Sequence, residues 1–148
     1  MSARQIIIDT DPGQDDAVAI LLALASPELQ VLGLTCVAGN VPLELTALNA
    51  RKICELAGRV DIPVFAGCDR PLGRALVTAE HVHGRSGLDG PDLPLPKMPV
   101  QDKHAVDFLI DTLRAVPART ITLCPLGPLT NIATAFARAP DIIDRVCQ

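Results

Sequence analysis

The stretch IIIDTDPGQDDAVAILLAL, residues 6–24, decides the fold. It opens on a short run of β-branched apolar residues, which is typical of a buried strand, and Pro12-Gly13 ends that run. From Asp15 to Ala25 the residues are mostly alanine and leucine and are apolar nearly all round, as in a buried helix. The chain therefore begins with a strand, an acidic turn and a helix.

The same alternation continues along the chain. The pattern predicts strands at residues 5–9, 29–38, 63–66 and 120–124, and helices at 15–25, 43–57, 104–115 and 130–139. Residues 142–147 are predicted to open a further strand or to lead up to one. Strands that alternate with helices favour an α/β fold with a mainly parallel sheet flanked by helices.

Residues 67–103 interrupt this pattern. They hold five prolines and several glycines and show no sustained periodicity. Because so long a loop is uncommon inside a compact domain, we predict a functional role for it.

Polar segments follow each predicted strand. In open α/β sheets the ligand crevice lies outside the carboxyl ends of the strands. The acidic turn follows the first strand, Gly39-Asn40 the second, the long loop the third, and residues 125–130 the fourth. We therefore expect all four segments to gather at one edge of the sheet.

The acidic turn places four carboxylates within eight residues, at Asp9, Asp11, Asp15 and Asp16. Helix capping and the helix dipole explain Asp15 and Asp16, but they do not explain two aspartates directly behind an apolar strand. Two carboxylates 4 Å apart repel by about 4 kcal/mol at an effective dielectric near 20, so a partly buried group needs a proton or a cation. Oxygen-only ligands favour calcium or magnesium over zinc. The turn is therefore predicted to bind a hard cation.

Composition excludes several classes of protein. The net charge is −4 and no basic stripe is present, which argues against nucleic acid as a partner. The longest apolar run, Ala17 to Ala25, is nine residues, whereas a membrane span needs about 20. The N-terminus shows no signal-peptide pattern, and the five cysteines form no C-x-x-C pair, which favours reduced thiols. We expect a cytoplasmic protein with no membrane partner.

Four segments together resemble the inosine–uridine preferring nucleoside hydrolases. They are IIIDTDPGQDDAVAILLAL (6–24), VAGNVPLELTALNA (37–50), HGRSGLDGPDLP (83–94) and CPLGPLTNIATA (124–135), in the order and spacing of the family. The resemblance implies a Rossmann-like nucleoside hydrolase fold, of which residues 1–148 are the N-terminal half of a single domain. The fold would thus be incomplete in this chain, with residues 67–103 as a functional loop within it.

The resemblance also implies an activity, the hydrolysis of the N-glycosidic bond of a small-molecule ribonucleoside to ribose and free base. It is a reaction of purine and pyrimidine salvage, and family members are homo-oligomers, dimers or tetramers. The cofactor would be Ca²⁺, and a calcium-activated water would lose its proton to an aspartate base. A further metal carboxylate and the group that protonates the departing base would lie in the other half.

The resemblance assigns roles to individual residues. Asp11 would be the general base and, with Asp16, would bind calcium through its carboxylate. The backbone carbonyl of Leu126, where the family often has threonine, would be a further metal ligand. Asp15 and Asn40 would bind the ribose, and His83 would have a catalytic role near the base. Asp9 would support the loop.

Two other interpretations remain open. Because half of the family domain is missing, the isolated 148-residue chain is expected to be inactive or nearly so, and it could be a non-catalytic metal-binding fragment or interaction module. A haloacid dehalogenase-type phosphohydrolase also has D-x-D after its first strand. That motif requires threonine or valine four residues after the nucleophilic aspartate, whereas this chain has Gly13 four residues after Asp9.

Overall fold

A computed structural model describes residues 3–147 of the chain. Four parallel strands form one sheet in the order β3-β2-β1-β4. The strands are β1 (Arg4–Thr10), β2 (Leu29–Cys36), β3 (Val64–Ala66) and β4 (Ile121–Pro125). The helices are α1 (Gln14–Ala25), α2 (Leu43–Leu56), α3 (Glu80–His83), α4 (Ala105–Ala115), α5 (Thr130–Arg138) and a 3-10 helix (Pro140–Arg145). The predicted α/β class with a parallel sheet is confirmed.

Helices cover both faces of β1, which explains the three consecutive isoleucines at its centre. Successive side chains of a strand point to opposite faces. Ile6 and Ile8 enter a core built with α1 and α2, whereas Ile7 enters a second core built with α4, α5 and the 3-10 helix. All three isoleucines are buried. A strand with this environment must be apolar on both sides.

The path of the chain creates a topological switch point beside β1. From β1 the chain builds β2 and β3 outward on one side, then returns to add β4 on the other side of β1. The strand order thus reverses between β1 and β4, and such switch points are where open α/β sheets bind ligands. Among residues 3–147 no helix is long and apolar enough to cross a membrane.

Predicted element ends agree with the structure to within two residues, and two segments differ in kind. The long loop contains the one-turn helix α3, which is too short to produce a periodic signal. Of the two alternatives predicted for residues 142–147, the strand is wrong, because Pro140 starts a 3-10 helix that ends at Arg145 and whose Ile142 is fully buried in the second core. Val146 then pairs with Ile121 of β4 as an isolated parallel bridge, so this segment leads up to a strand position.

Candidate functional site

Asp11 lies where three of the four segments that follow strands meet. Its carboxylate is 5% exposed, and Oδ2 accepts a hydrogen bond of 2.7 Å from the backbone N–H of Asn40. The Asn40 side chain donates in return to the Asp11 carbonyl oxygen at 2.8 Å. Glycines flank the carboxylate, because a Cβ at Gly127 would lie 2.7 Å from Oδ1 and a Cβ at Gly39 would overlap Oδ2. The expected gathering of these segments around Asp11 is present.

Asp16 and Asp15 complete an acidic group around Asp11. Asp16 is buried in the first turn of α1, and Thr10 donates a hydrogen bond of 2.9 Å to its Oδ2. Asp15, in the same turn, is exposed. Burial, together with the charges of Asp16 and Asp15, raises the pKa of Asp11 to about 7. Burial also raises the pKa of Asp16, to which the charge of Asp15 adds.

Asp9 is bound to the framework of the fold. It is 1% exposed, and its Oδ2 accepts hydrogen bonds from Thr35 Oγ1 at 2.7 Å and from Asn131 Nδ2 at 3.0 Å. Burial raises its pKa to about 6. The other oxygen, Oδ1, has no hydrogen-bond partner among residues 3–147. The four aspartates are thus divided, with Asp9 joined to β2 and α5 and the other three forming the acidic group.

Asn131 and Thr35 received no role from the sequence. Asn131 is fully buried near the start of α5; it donates to Asp9 and to the Cys36 carbonyl, and its Oδ1 accepts from the backbone N–H of Cys68 at 2.8 Å. Thr35 stands opposite Asp9 in the register of β1 and β2. A polar residue in an otherwise apolar strand was the available signal for Thr35. Asn131 had no comparable local signal.

His83 brings the long loop back to the acidic turn. Its Nδ1 lies 2.6 Å from Gln14 Oε1, and its ring packs on Gly13, where a Cβ would come within 2.6 Å of Nδ1. The other two histidines lie outside this group. His81 is exposed, and His104 caps α4 by accepting a hydrogen bond from the Val106 N–H.

The backbone of Leu126 lies beside the acidic group. Its N–H donates a hydrogen bond of 2.7 Å to the Asp9 carbonyl, which continues the pairing of β1 and β4. The next residue, Gly127, contacts the Asp11 carboxylate. The Leu126 side chain is 41% exposed. Because a leucine side chain has no oxygen or nitrogen, only the backbone at this position can supply a metal ligand.

The donor set suits a hard cation but does not complete its coordination sphere. Among the described residues no group of three or more His, Cys, Asp or Glu side chains is arranged to hold a metal ion. Asp11 and Asp16 supply buried carboxylate oxygens, the donors that calcium and magnesium prefer. Calcium takes about six to eight oxygens, so water, a substrate or further protein oxygens would have to supply the rest.

The raised pKa values predict how stability depends on pH in metal-free protein. Asp9 and Asp11 have folded pKa values of about 6 and about 7 against an ordinary value of 3.8, so between these values the folded state binds more protons than the unfolded state. The free energy of unfolding therefore falls as pH rises through this window. In the presence of a chelator, we expect a higher melting temperature at about pH 5 than at about pH 8. Thermal unfolding followed by circular dichroism measures this.

An Asp11→Asn variant serves as the control, because it removes one of the three aspartates whose pKa is raised and should weaken the pH dependence. The wild type is measured in the presence of a chelator over the same pH range. If its melting temperature rises steadily with pH, the result contradicts the burial of charge at this site.

Comparison with known proteins identifies the family. Residues 6–148 match the family described as inosine-uridine preferring nucleoside hydrolase. Over 144 residues, 97% of this chain and 46% of the relative, the sequence is 58% identical to an uncharacterised protein of Schizosaccharomyces pombe. It is 46% identical, with the same coverage, to the inosine-uridine preferring nucleoside hydrolase of Crithidia fasciculata.

A solved structure shares the fold. The plant nucleoside hydrolase PpNRh1 superimposes with a TM-score of 0.92 at 43% identity, over 98% of this chain and 46% of that chain. The chain spans about half the length of the proteins it matches, so the family's fold is incomplete in it. The matched residues include all of the acidic group, Asn40, His83 and Leu126. The chain belongs to the inosine–uridine preferring nucleoside hydrolase family.

Proposed function

We propose that the protein hydrolyses the N-glycosidic bond of ribonucleosides to give ribose and free base, and that this chain supplies the calcium-binding and ribose-binding part of the active site. The observation that carries the proposal is the buried Asp11 carboxylate, held by Asn40 beside Asp16 at the switch point between β1 and β4. Nucleoside hydrolysis is the activity named for relatives of this chain.

Asp11 is suited to act as the general base. Water is a poor nucleophile until it loses a proton, and a base is most effective when its pKa lies near the working pH. In the metal-free site burial raises the pKa of Asp11 to about 7, so this carboxylate is a stronger base than an exposed aspartate, and a bound cation would lower its pKa. Asn40 fixes the orientation of the carboxylate through Oδ2, while Oδ1 faces the small residue Gly127.

Asp11 and Asp16, with the backbone carbonyl of Leu126, would hold calcium. When bound, a divalent cation supplies Lewis acidity, which makes a water molecule easier to deprotonate. It would also balance two carboxylates that burial leaves poorly solvated. Asp15 and Asn40 would bind ribose hydroxyls, and the exposure of Asp15 leaves its carboxylate accessible to a substrate.

The charge of the site suits the reaction. Cleavage of a carbon–nitrogen glycosidic bond builds positive charge on the ribosyl ring, as in other glycoside hydrolysis. Fixed negative groups aimed at that charge lower the barrier most in a site with little water. The acidic group of Asp11, Asp15 and Asp16 provides such a field.

The structure disfavours a haloacid dehalogenase-type phosphohydrolase. In that chemistry the first aspartate of D-x-D attacks the phosphorus atom, so its carboxylate must be accessible. Here that residue is Asp9, which is 1% exposed and hydrogen-bonded to Thr35 and Asn131.

A non-catalytic role for the isolated chain rests on its length. It spans 46% of the Crithidia enzyme, and within the acidic group two of the three carboxylates, those of Asp11 and Asp16, are buried donors for a cation. We therefore expect the 148-residue chain, on its own, to hydrolyse nucleosides slowly or not at all while retaining the calcium site.

A reducing-sugar assay for ribose tests the proposal. The complete protein is incubated with inosine and with uridine, with calcium or with a chelator. We expect ribose release that the chelator lowers by about tenfold or more, since the cation activates the water. Nucleosides left intact by folded, calcium-loaded protein would contradict the proposed activity.

A further inference from the structure

Gln14 joins the acidic turn to the long loop. It is the first residue of α1 and lies between Gly13 and the paired aspartates. Its carboxamide makes three contacts with that loop. Oε1 lies 2.6 Å from His83 Nδ1, and Nε2 donates to the carbonyl oxygens of His83 at 3.3 Å and of Asp89 at 3.1 Å.

These contacts determine which nitrogen of His83 carries hydrogen. The two carbonyl oxygens can only accept hydrogen bonds, so the amide nitrogen of Gln14 must face them. The amide oxygen then faces His83 Nδ1, and because that oxygen cannot donate, Nδ1 must be the donor. A neutral imidazole with hydrogen on Nδ1 has Nε2 as a free acceptor.

The surroundings of His83 hold the ring in this position. The ring packs on Gly13, where a Cβ would collide with it. The following turn is fixed by Asp89, whose carboxylate accepts hydrogen bonds from the backbone of Arg85 and from Ser86. Asn49 of α2 donates a hydrogen bond of 2.7 Å to the Ser86 carbonyl. No described residue forms a hydrogen bond with His83 Nε2, so that atom remains available.

We propose that Gln14 is a positioning residue, which keeps His83 on Gly13 with hydrogen on Nδ1 and presents Nε2 as an acceptor to the nucleoside. This inference rests on the proposed function. Nε2 then accepts a hydrogen bond from a hydroxyl or N–H group of the substrate. In this tautomer His83 orients the nucleoside and does not supply the proton to the departing base.

The test combines imidazole NMR with kinetics on the full-length gene product. With ¹⁵N-labelled histidine, and a His83→Gln variant to assign the signals, the wild type should show His83 protonated on Nδ1. Gln14→Met keeps the length of the side chain and removes its hydrogen bonds. It should shift His83 towards the Nε2-protonated form and lower kcat/KM for inosine by about tenfold, the scale of a small misplacement. Gln14→Glu keeps an acceptor oxygen, so it should keep hydrogen on Nδ1 and recover part of kcat/KM.

Gln30→Leu is the control, because Gln30 is exposed at the amino end of β2, opposite the site. It should leave both signals and rates unchanged. Hydrogen on Nε2 in the wild type, or a Gln14→Met variant that changes only one of the two readouts, would overturn the proposal. Absence of hydrolysis by the wild type would contradict the proposed function. In that case the NMR signals alone would still test the contact between Gln14 and His83.

Discussion

Replacing Asp11 with asparagine is expected to lower kcat for nucleoside hydrolysis by about a thousandfold or more while the fold survives. Asparagine has nearly the same shape, and its side-chain oxygen can still accept the Asn40 N–H hydrogen bond. It cannot accept a proton from water and is a weaker ligand for a hard cation. The measurement is steady-state ribose release by the full-length gene product, with a far-ultraviolet circular dichroism spectrum to check the fold.

Asp141→Asn provides the matched control for the loss of one carboxylate. Asp141 is exposed in the 3-10 helix and forms an ion pair of 2.7 Å with Arg114 in the last turn of α4. Its replacement should leave turnover unchanged. Wild-type turnover by a folded Asp11→Asn protein would assign the general base to another residue.

Replacing Asn131 with alanine is expected to cause a large loss of stability, about 3 kcal/mol or more. The change leaves the Cys36 carbonyl and the Cys68 N–H without this partner and leaves the buried Asp9 carboxylate with Thr35 alone. Each buried polar group without a partner costs about 1–3 kcal/mol. Urea unfolding followed by circular dichroism gives the difference in the free energy of unfolding.

Thr134→Ala, one turn further along α5, is the control for Asn131→Ala. Thr134 is part-buried and its hydroxyl donates to the Thr130 carbonyl within the same helix. Its removal should cost less than about 1 kcal/mol, the net value of an ordinary hydrogen bond. Equal losses for the two variants would mean that Asn131 does not join the strand ends as described.

Local pattern was sufficient for most of the fold. The apolar run before Asp9 predicted a strand buried on both faces, and the structure places Ile6 and Ile7 in two different cores. The rule that parallel strands end at one edge predicted that Asn40 would approach the acidic turn, and its backbone N–H binds the Asp11 carboxylate.

Contacts between residues that are far apart in the chain could not be predicted from the sequence. Asn131 binds Asp9 across 122 positions of the chain, and no period or motif spacing encodes such a pair. For the same reason the residue pattern alone did not separate Asp9 from the other three aspartates, and only the family resemblance implied a supporting role for it. In the structure Thr35 and Asn131 bind Asp9. The link between Gln14 and His83 likewise depends on the path of the long loop, which has no regular pattern to predict it.

Calcium titration by isothermal calorimetry tests the central claim most directly, since it requires neither turnover nor the second half of the site. Chelator-treated 148-residue chain, shown to be folded by its circular dichroism spectrum, is titrated beside its Asp11→Asn, Asp16→Asn and Asp141→Asn variants. We predict one calcium site in the wild type and in Asp141→Asn, and its loss in the other two variants. A folded wild-type chain that binds no calcium, or Asp11 and Asp16 variants that bind it as well as the wild type does, would contradict the assignment of the acidic group as the metal site.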